Sequence, residues 1–564
     1  MASGPKSSPP REKKRRDKRD AHGARESDPD QGAPADAGSG APTLGDRASG
    51  VLLHPTSLPG RHGSGDLGPE ARKFVDFLAA AGQRWWQTLP IGPPGYGDSP
   101  YSAHSAFAGN PMLVSLDALV DDGLLSRSDV DAPGSFPSDR VAFDAVSSLR
   151  EERLARAYAA LLRDPDGLLA LAFRAYCDEN EAWLEDWALF SALKRAHGGA
   201  PWTAWDPGVR DRKRRALAEA RERYRDEMGY HRFVQFAFDR QWSTLRAYAA
   251  ERGVGLIGDI PIFVAHDSAD VWQNQEQYYL DEQGMPTFIA GVPPDYFSAT
   301  GQRWGNPLYR WKRMKKSGFA FWVDRLRVTL KRFDAVRLDH FIGFSRYWAI
   351  PASCPTAIEG RYVKGPGASL FKRVRAELGA LPLIAEDLGV VTPKVKALRD
   401  RFELPGIRLL QFAFGDDPAA PDFMPYNYPR RAVVYTGTHD NDTTVGWFRD
   451  EGGEASTRTA EQIARERQTA LDFLGGDGRE IHWDMIRAVL ASVADTAVIP
   501  AQDLLGLGSE ARMNRPGVAS GNWAWRAGEG AFSEALAARL GKLTRTYGRA
   551  KVEPLPATSE ESRS

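Results

Sequence analysis

Short apolar, β-branched runs that finish in polar residues recur along the chain, separated by longer stretches with apolar residues at helical spacing. Alternation between a period of two and a period of 3.6 predicts repeated strand–helix units. Eight runs qualify: Gly50–Ser57 (GVLLHPTS), Arg84–Ile91 (RWWQTLPI), Gly255–Val264 (GLIGDIPIFV), Phe333–His340 (FDAVRLDH), Leu383–Leu388 (LIAEDL), Ile407–Phe414 (IRLLQFAF), Ala432–Asp440 (AVVYTGTHD) and Ala497–Leu504 (AVIPAQDL). Eight such units are the number that closes a (β/α)8 TIM barrel, whose chemistry gathers where the C-terminal strand ends meet the βα loops. The expected fold class is therefore α/β, a barrel with large, mostly helical insertions between strands and no C-terminal β domain.

The spacing of the runs is uneven. Residues 1–48 are dominated by Pro, Gly, Ser, Asp, Lys and Arg with almost no large apolar side chain. They cannot bury enough surface to offset ordering entropy, so they read as a disordered tail. Residues 49–545 form the barrel domain. Within it, about 94–252 separate the second and third runs and read as a mostly helical inserted subdomain, far longer than one crossover. Its patterns at Arg150–Leu162 and Arg210–Glu227 carry mixed charge at helical spacing, the mark of solvated helix faces. After the third run, Gly291–Trp311 (GVPPDYFSATGQRWGNPLYRW) is dense in Gly, Pro and aromatics and reads as a cover loop or a binding surface. Residues 546–564 read as a polar C-terminal tail.

Charge narrows the partners. The chain has 74 Lys+Arg against 74 Asp+Glu, a net charge of +0, which argues against a chain whose main task is coating nucleic acid or an anionic membrane. The basic cluster Arg11–Arg19 is interleaved with Glu12 and Asp17 and followed by Asp20, as in a solvated tail. An adaptor working through that cluster would bind polyanions in a strongly salt-dependent way. Cys177 and Cys354 stand in no metal-ligand spacing, so neither a disulfide framework nor a structural zinc is expected. No run approaches the roughly 18 apolar residues of a spanning helix, and the N-terminus lacks an apolar leader with a small-residue cleavage site. The expectation is a cytoplasmic protein that engages neither membrane nor nucleic acid. The 16 Trp and 17 Tyr supply aromatic faces, for core packing or for stacking on flat apolar ligand surfaces.

Candidate chemistry sits at the run ends. In FDAVRLDH, strand alternation puts Arg337 and Asp339 on one face and Val336 and Leu338 on the other. An Arg two residues from an Asp holds that carboxylate ionised, which suits an anionic nucleophile and equally suits a structural ion pair. The fifth run ends in Glu386 and Asp387, of which alternation sends one inward. The seventh ends in Thr438, His439, Asp440 and Asn441. A metal would take Asp339, His340, His439 and Asp440, yet no HxH or HExxH pattern presents a close pair of imidazoles. Glycoside transfer instead wants one ionised carboxylate, one protonated carboxyl and further charge for an oxocarbenium-like transition state. The aromatic-rich loop favours sugar.

The stretches GDIPIFV, GVPPDYFSATGQRWGNPLYRW, RLDHF, AEDLG, GTHDND and GSEARMNRPG, in that order, closely resemble the motifs of glycoside hydrolase family 77, the amylomaltases or disproportionating 4-alpha-glucanotransferases. The resemblance spans about residues 49–545. It implies that Asp339 is the nucleophile forming a covalent glucosyl-enzyme, that Glu386 is the general acid and then base, and that Asp440 binds the distorted donor sugar and supports the transition state. Arg337, His340 and His439 would flank the donor ring, with Asp259 at the third strand end beside them, touching sugar or only ordering its neighbours. Tyr296, Phe297 and Trp304 of the cover loop would stack on glucose rings, Ser57 and Tyr101 (in YGDSPY) resemble subsite residues, and Asn514 would bind donor hydroxyls. A retaining mechanism needs the Asp339 and Glu386 carboxyls about 5–5.5 Å apart and the Glu386 carboxyl raised by burial or negative charge. No metal or other cofactor is expected, and the implied partners are maltooligosaccharides, amylose or other α-1,4-glucans. An α-glucan hydrolase of the same clan differs only in letting water capture the intermediate. A silent glucan-binding protein would be expected to lack one of the three carboxylates, and all three are present.

Overall fold

The computed structural model describes residues 41–131, 135–294, 300–452, 458–518 and 520–551. Twelve strands are formed among them: β1 Ala48–Leu52, β2 Trp85–Gln87, β3 Gly255–Pro261, β4 Phe288–Val292, β5 Gln302–Pro307, β6 Ala335–Asp339, β7 Arg346–Pro351, β8 Arg361–Lys364, β9 Leu383–Ala385, β10 Gly406–Leu409, β11 Ala432–Tyr435 and β12 Thr496–Pro500. Eight close a barrel in the order β1-β2-β3-β6-β9-β10-β11-β12, every pair parallel, with Ala48 opposite Thr496 at the closure. Each of the eight runs read from the sequence contributes one of these strands.

Alternation along the strands sorts the core into two layers. Leu52, Trp85, Ile257, Ala335, Ile384, Ile407, Val433 and Val498 fill the barrel interior. Their neighbours Val51, Trp86, Leu256, Val336, Val434 and Ala497 pack outward against the helices. Gly50 allows β1 and β2 to approach, since a Cβ there would meet the Trp85 carbonyl oxygen at 2.3 Å.

The region between β2 and β3 is built mainly of helices, the longest being Phe143–Leu161, Leu168–Ala196 and Arg225–Glu251. The last belongs to insertion and barrel alike. Its inward stripe includes Phe238 and Trp242, and the Trp242 indole donates to the Arg332 carbonyl at 2.9 Å while packing edge-on against Phe333 at 5.1 Å. No helix among the described residues is long and apolar enough to cross a membrane.

Two expectations need correction. Residues 291–311 are not only a loop: the end of β4 and all of β5 lie in them, and an antiparallel sheet runs β5-β4-β7-β8. β4 finds its central partner in β7, Ala290 opposite Ala349, a pairing between distant segments that no local period announces. The polar ends are also shorter than residues 1–48 and 546–564. Ala48 is in β1, and Arg47 donates to the carbonyls of Ser492 at 2.9 Å, Tyr547 at 3.0 Å and Leu490 at 3.1 Å. Beyond the helix Glu534–Thr546, Arg549 is fully buried and donates to the carbonyls of Leu490 at 2.7 Å, Ala48 at 2.8 Å and Ala494 at 3.0 Å. Composition reads an arginine in a polar stretch as solvated. Here the guanidinium instead collects main-chain acceptors at the N-terminal rim of the barrel.

Candidate active site

β6 delivers Arg337 into the barrel mouth, because Val336 and Leu338 are committed to the outer layer. The register sets Asp259 of β3 opposite Arg337, and Pro261 opposite Asp339. Arg337 Nη1 lies 2.7 Å from Asp259 Oδ2, 2.9 Å from Asp259 Oδ1 and 3.0 Å from Asp339 Oδ1. The Tyr101 hydroxyl also donates to Asp259 Oδ2, at 2.7 Å. The two carboxylates differ in access: the Asp259 side chain has 0% of its surface exposed, whereas Asp339 keeps 25%. Asp259 is shut in by the groups it orders, and Asp339 is open to a ligand through its other oxygen. Burial alone would lower the Arg337 guanidinium, but Asp259 and Asp339 outweigh it and hold it well above its ordinary value. Burial raises the Asp259 carboxyl against the pull of Arg337. Burial and the Asp259 charge push the Tyr101 phenol well up, so at neutral pH its hydroxyl is a donor.

Leu338 pairs with Ala385, so Asp339 and Glu386 follow as neighbours on adjacent strands. The main chain after β6 grips Glu386. His340 sits at φ 51°, a left-handed conformation uncommon for a residue with a Cβ, and its N–H donates to Glu386 Oε2 at 2.6 Å. The Phe341 N–H donates to the Glu386 carbonyl at 3.0 Å. Burial, reinforced by the Asp339 charge and opposed by Arg337 and the His340 amide, holds the Glu386 carboxyl well above its ordinary value. With Oε2 accepting that N–H, Oε1 is the oxygen placed to bear a proton when the carboxyl is protonated. Asp387 turns the other way: its oxygens accept from the Ile407 N–H at 2.9 Å and from Arg399 Nη1 at 2.5 Å, and it is buried.

The loop after β11 presents Asp440, whose side chain is 45% exposed. Asn514 Nδ2 donates to Asp440 Oδ1 at 2.6 Å, and His439 Nε2 lies 3.4 Å from Asp440 Oδ2. The Tyr101 ring stacks on the His439 imidazole, centroids 5.2 Å apart and planes 14° from parallel. Trp523 closes against both rings, at 5.7 and 6.0 Å. On the opposite side, burial lowers the His340 imidazole to about 4, and its ring meets Trp304 edge-on at 4.9 Å. Trp304 stays 37% exposed above it, its indole N–H on Gln302 Oε1 at 3.1 Å.

The barrel mouth thus assembles Arg337, Asp339, His340, Glu386, His439, Asp440, Asp259, Tyr101, Trp304 and Asn514. Ser57 is buried, its hydroxyl 4.0 Å from Met513 Sδ, and lines a pocket together with His439 and Asn441. Tyr296 and Phe297 lie outside the described residues. Sequence reading missed Arg512, which donates to the carbonyls of Asp440 and Asn514, each at 2.8 Å, and Trp523, in the WAW stretch downstream of GSEARMNRPG. Arg512 stands within that motif and Trp523 six residues beyond it, their only signal. Among the described residues no group of three or more His, Cys, Asp or Glu is placed to hold a metal ion. One open carboxylate paired with a guanidinium, one buried carboxyl raised above its ordinary value and a third carboxylate facing the same cleft are the parts that glycosyl transfer requires.

Residues 53–530 match the family described as 4-alpha-glucanotransferase, glycoside hydrolase family 77. A 4-alpha-glucanotransferase of Thermus thermophilus is 51% identical over 496 residues, 88% of this chain and 97% of the relative. One from Synechocystis sp. is 47% identical over 510 residues, 90% of this chain and 99% of the relative. The amylomaltase of Streptococcus agalactiae, solved in complex with acarbose, superposes with a TM-score of 0.84 at 36% identity, covering 90% of this chain and 100% of the other. On both sequence and fold, the chain belongs to glycoside hydrolase family 77, the 4-alpha-glucanotransferases.

Proposed function

We propose that the chain moves segments of α-1,4-glucan from a donor to the 4-hydroxyl of an acceptor glucan or glucose, by a retaining double displacement, in the cytoplasm. Its substrates are maltooligosaccharides, amylose and related α-1,4-glucans, and acarbose, which the Streptococcus agalactiae relative binds, is the expected inhibitor.

In the first displacement Asp339 Oδ2, the oxygen not held by Arg337, attacks C1 of the donor sugar while Glu386 passes its Oε1 proton to the departing glycosidic oxygen. The C1–O bond breaks, a C1–Asp339 ester forms with inversion, and Glu386 is left as a carboxylate. In the second, Glu386 takes the proton of an acceptor 4-hydroxyl, whose oxygen attacks C1 and releases Asp339, restoring the starting configuration. Asp440, oriented by Asn514, accepts hydrogen bonds from donor hydroxyls and faces the positive charge that develops at C1. Trp304 offers its exposed face to a glucose ring on the acceptor side, helping sugar rather than water reach the ester.

The observation that carries this reading is the pairing of an accessible Asp339 with a neighbouring, buried Glu386 whose carboxyl is raised above its ordinary value and whose Oε2 is occupied by the His340 amide. The test is incubation with maltotriose, following product masses and reducing ends, with Asp339→Asn as control. Glucose plus a ladder of longer maltodextrins at constant reducing ends is expected. A rise in reducing ends with turnover assigns a hydrolase, and no turnover assigns a binding protein.

A further inference from the structure

The loop that carries His439 and Asp440 borders a pocket on one side. Its residues Thr438, His439, Asn441 and Thr443 form one wall of a cavity whose far wall bears His54, Gln502 and Met513. At its tip Arg512 donates to the Asp440 carbonyl at 2.8 Å and the Asn514 N–H to the His439 carbonyl at 3.0 Å. Its ends, however, converge on one buried carboxylate. Asp503, in the turn that follows β12, is 1% exposed. Its Oδ2 accepts from the Thr436 hydroxyl at 2.5 Å, where the loop leaves β11, and its Oδ1 accepts from the Thr444 N–H at 2.6 Å, where the loop enters the helix Thr444–Arg449. Within that span Gln411 Nε2 donates to the Asp442 carbonyl at 3.0 Å and Ser509 donates to Asp442 Oδ2 at 2.7 Å.

We infer that Asp503 is a positioning residue for the reaction: it closes the 436–444 loop at its base and thereby sets where Asp440 stands relative to Asp339 and Glu386. Asp503 touches no reacting atom. It acts through Asp440, so the inference rests on the role given to Asp440 above. Both oxygens of a carboxylate serve as acceptors, whereas the amide of Asn offers a single acceptor oxygen and turns its NH2 toward a donor. Asp503→Asn therefore opens one end of the loop without changing the size of the side chain. An error of about 1 Å in a catalytic group is worth on the order of 10²-fold in rate.

The test is a double-mutant cycle in the full chain, with α-maltosyl fluoride as donor and maltose as acceptor, so that slow variants stay measurable. Asp503→Asn is expected to lower kcat on the order of 10²-fold with KM for the acceptor within about twofold. In an Asp440→Asn background the same change should cost less than about threefold more, because the group it positions is already disabled. Thr436→Val should reproduce the loss in part, and Thr436→Ser, which keeps the hydroxyl, should restore it. This pair carries the same cycle if Asp503→Asn does not fold. Losses that multiply across the cycle, or wild-type kcat in Asp503→Asn, overturn the inference while leaving Asp440 its role. Full activity in Asp440→Asn overturns that role and the inference together.

Discussion

The amide of His340 donates to Glu386 Oε2 at 2.6 Å from a backbone held at φ 51°. A non-glycine residue in that region costs roughly 1–2 kcal/mol, so the fold spends conformational strain immediately after the proposed nucleophile to aim one N–H at the proposed acid. The bond leaves Oε1 as the oxygen placed to bear the proton, and the consequences of that assignment can be measured.

Glu386→Gln should cut turnover of maltotriose by about 10²–10⁴-fold, the usual contribution of a general acid. With α-maltosyl fluoride, whose leaving group needs little help from an acid, the first displacement should survive while the second, lacking its base, stalls. Intact-protein mass spectrometry should then show a maltosyl adduct, lost when Asp339 is also replaced. Absence of the adduct in Glu386→Gln would remove Glu386 from the acid/base role.

The same carboxyl makes a prediction about stability. Burial and Asp339 raise Glu386 above its ordinary value of 4.5, so the folded state binds its proton more tightly than the unfolded chain. The stability this contributes is complete below about pH 4.5 and is lost as pH rises through the folded-state value. Glu386→Gln has no proton to lose. Its Tm relative to the parent should therefore rise between pH 5 and pH 8, and a constant difference across that range would argue against the raised carboxyl.

Tyr101→Phe removes the hydroxyl from Asp259 while keeping the ring on His439. Leaving a buried carboxylate short of one donor costs about 1–3 kcal/mol. Because Asp259 in turn holds Arg337, a loss of about 10–100-fold in kcat/KM is expected with little change in Tm. Loss of Tm without loss of kcat/KM would make the tyrosine a packing residue only.

Arg549→Ala should act oppositely. Its guanidinium joins Ala48, at the start of β1, to the segment Val489–Asp495, and deleting it leaves several buried carbonyls without donors. A destabilisation of about 3 kcal/mol or more is expected, read by urea unfolding, with unchanged kcat in the fraction that remains folded.

The barrel was legible because each of its strands announces itself locally. The period-two runs sit where the barrel strands form, and alternation alone placed Arg337 and Asp339 on the inner face. The same rule stopped short at Glu386 and Asp387: it requires one of the two to turn inward without saying which. Pairing to β6 on one side and β10 on the other settles it, since the Ile407 amide and Arg399 claim Asp387. The β5-β4-β7-β8 sheet escaped notice because short, half-exposed strands such as Gln302–Pro307 carry little apolar pattern and meet partners far along the chain. Ser57, suggested by resemblance, packs against Met513, a neighbour 456 residues away, in a pocket that His439 also lines.

By itself, then, the amino-acid sequence determined the kind and order of the elements and put acids at the ends of the third, fourth, fifth and seventh barrel strands, because periodicity and strand-end chemistry are written over a few consecutive residues. Tertiary structure decided which of those acids is enclosed, which is open and which has its carboxyl raised. Asp259 and Asp339 share one guanidinium yet differ in access, and Glu386 owes its raised carboxyl to burial and to a charge on the neighbouring strand. Desolvation and Coulomb interaction depend on distance in space, and chain closure around the barrel sets that distance.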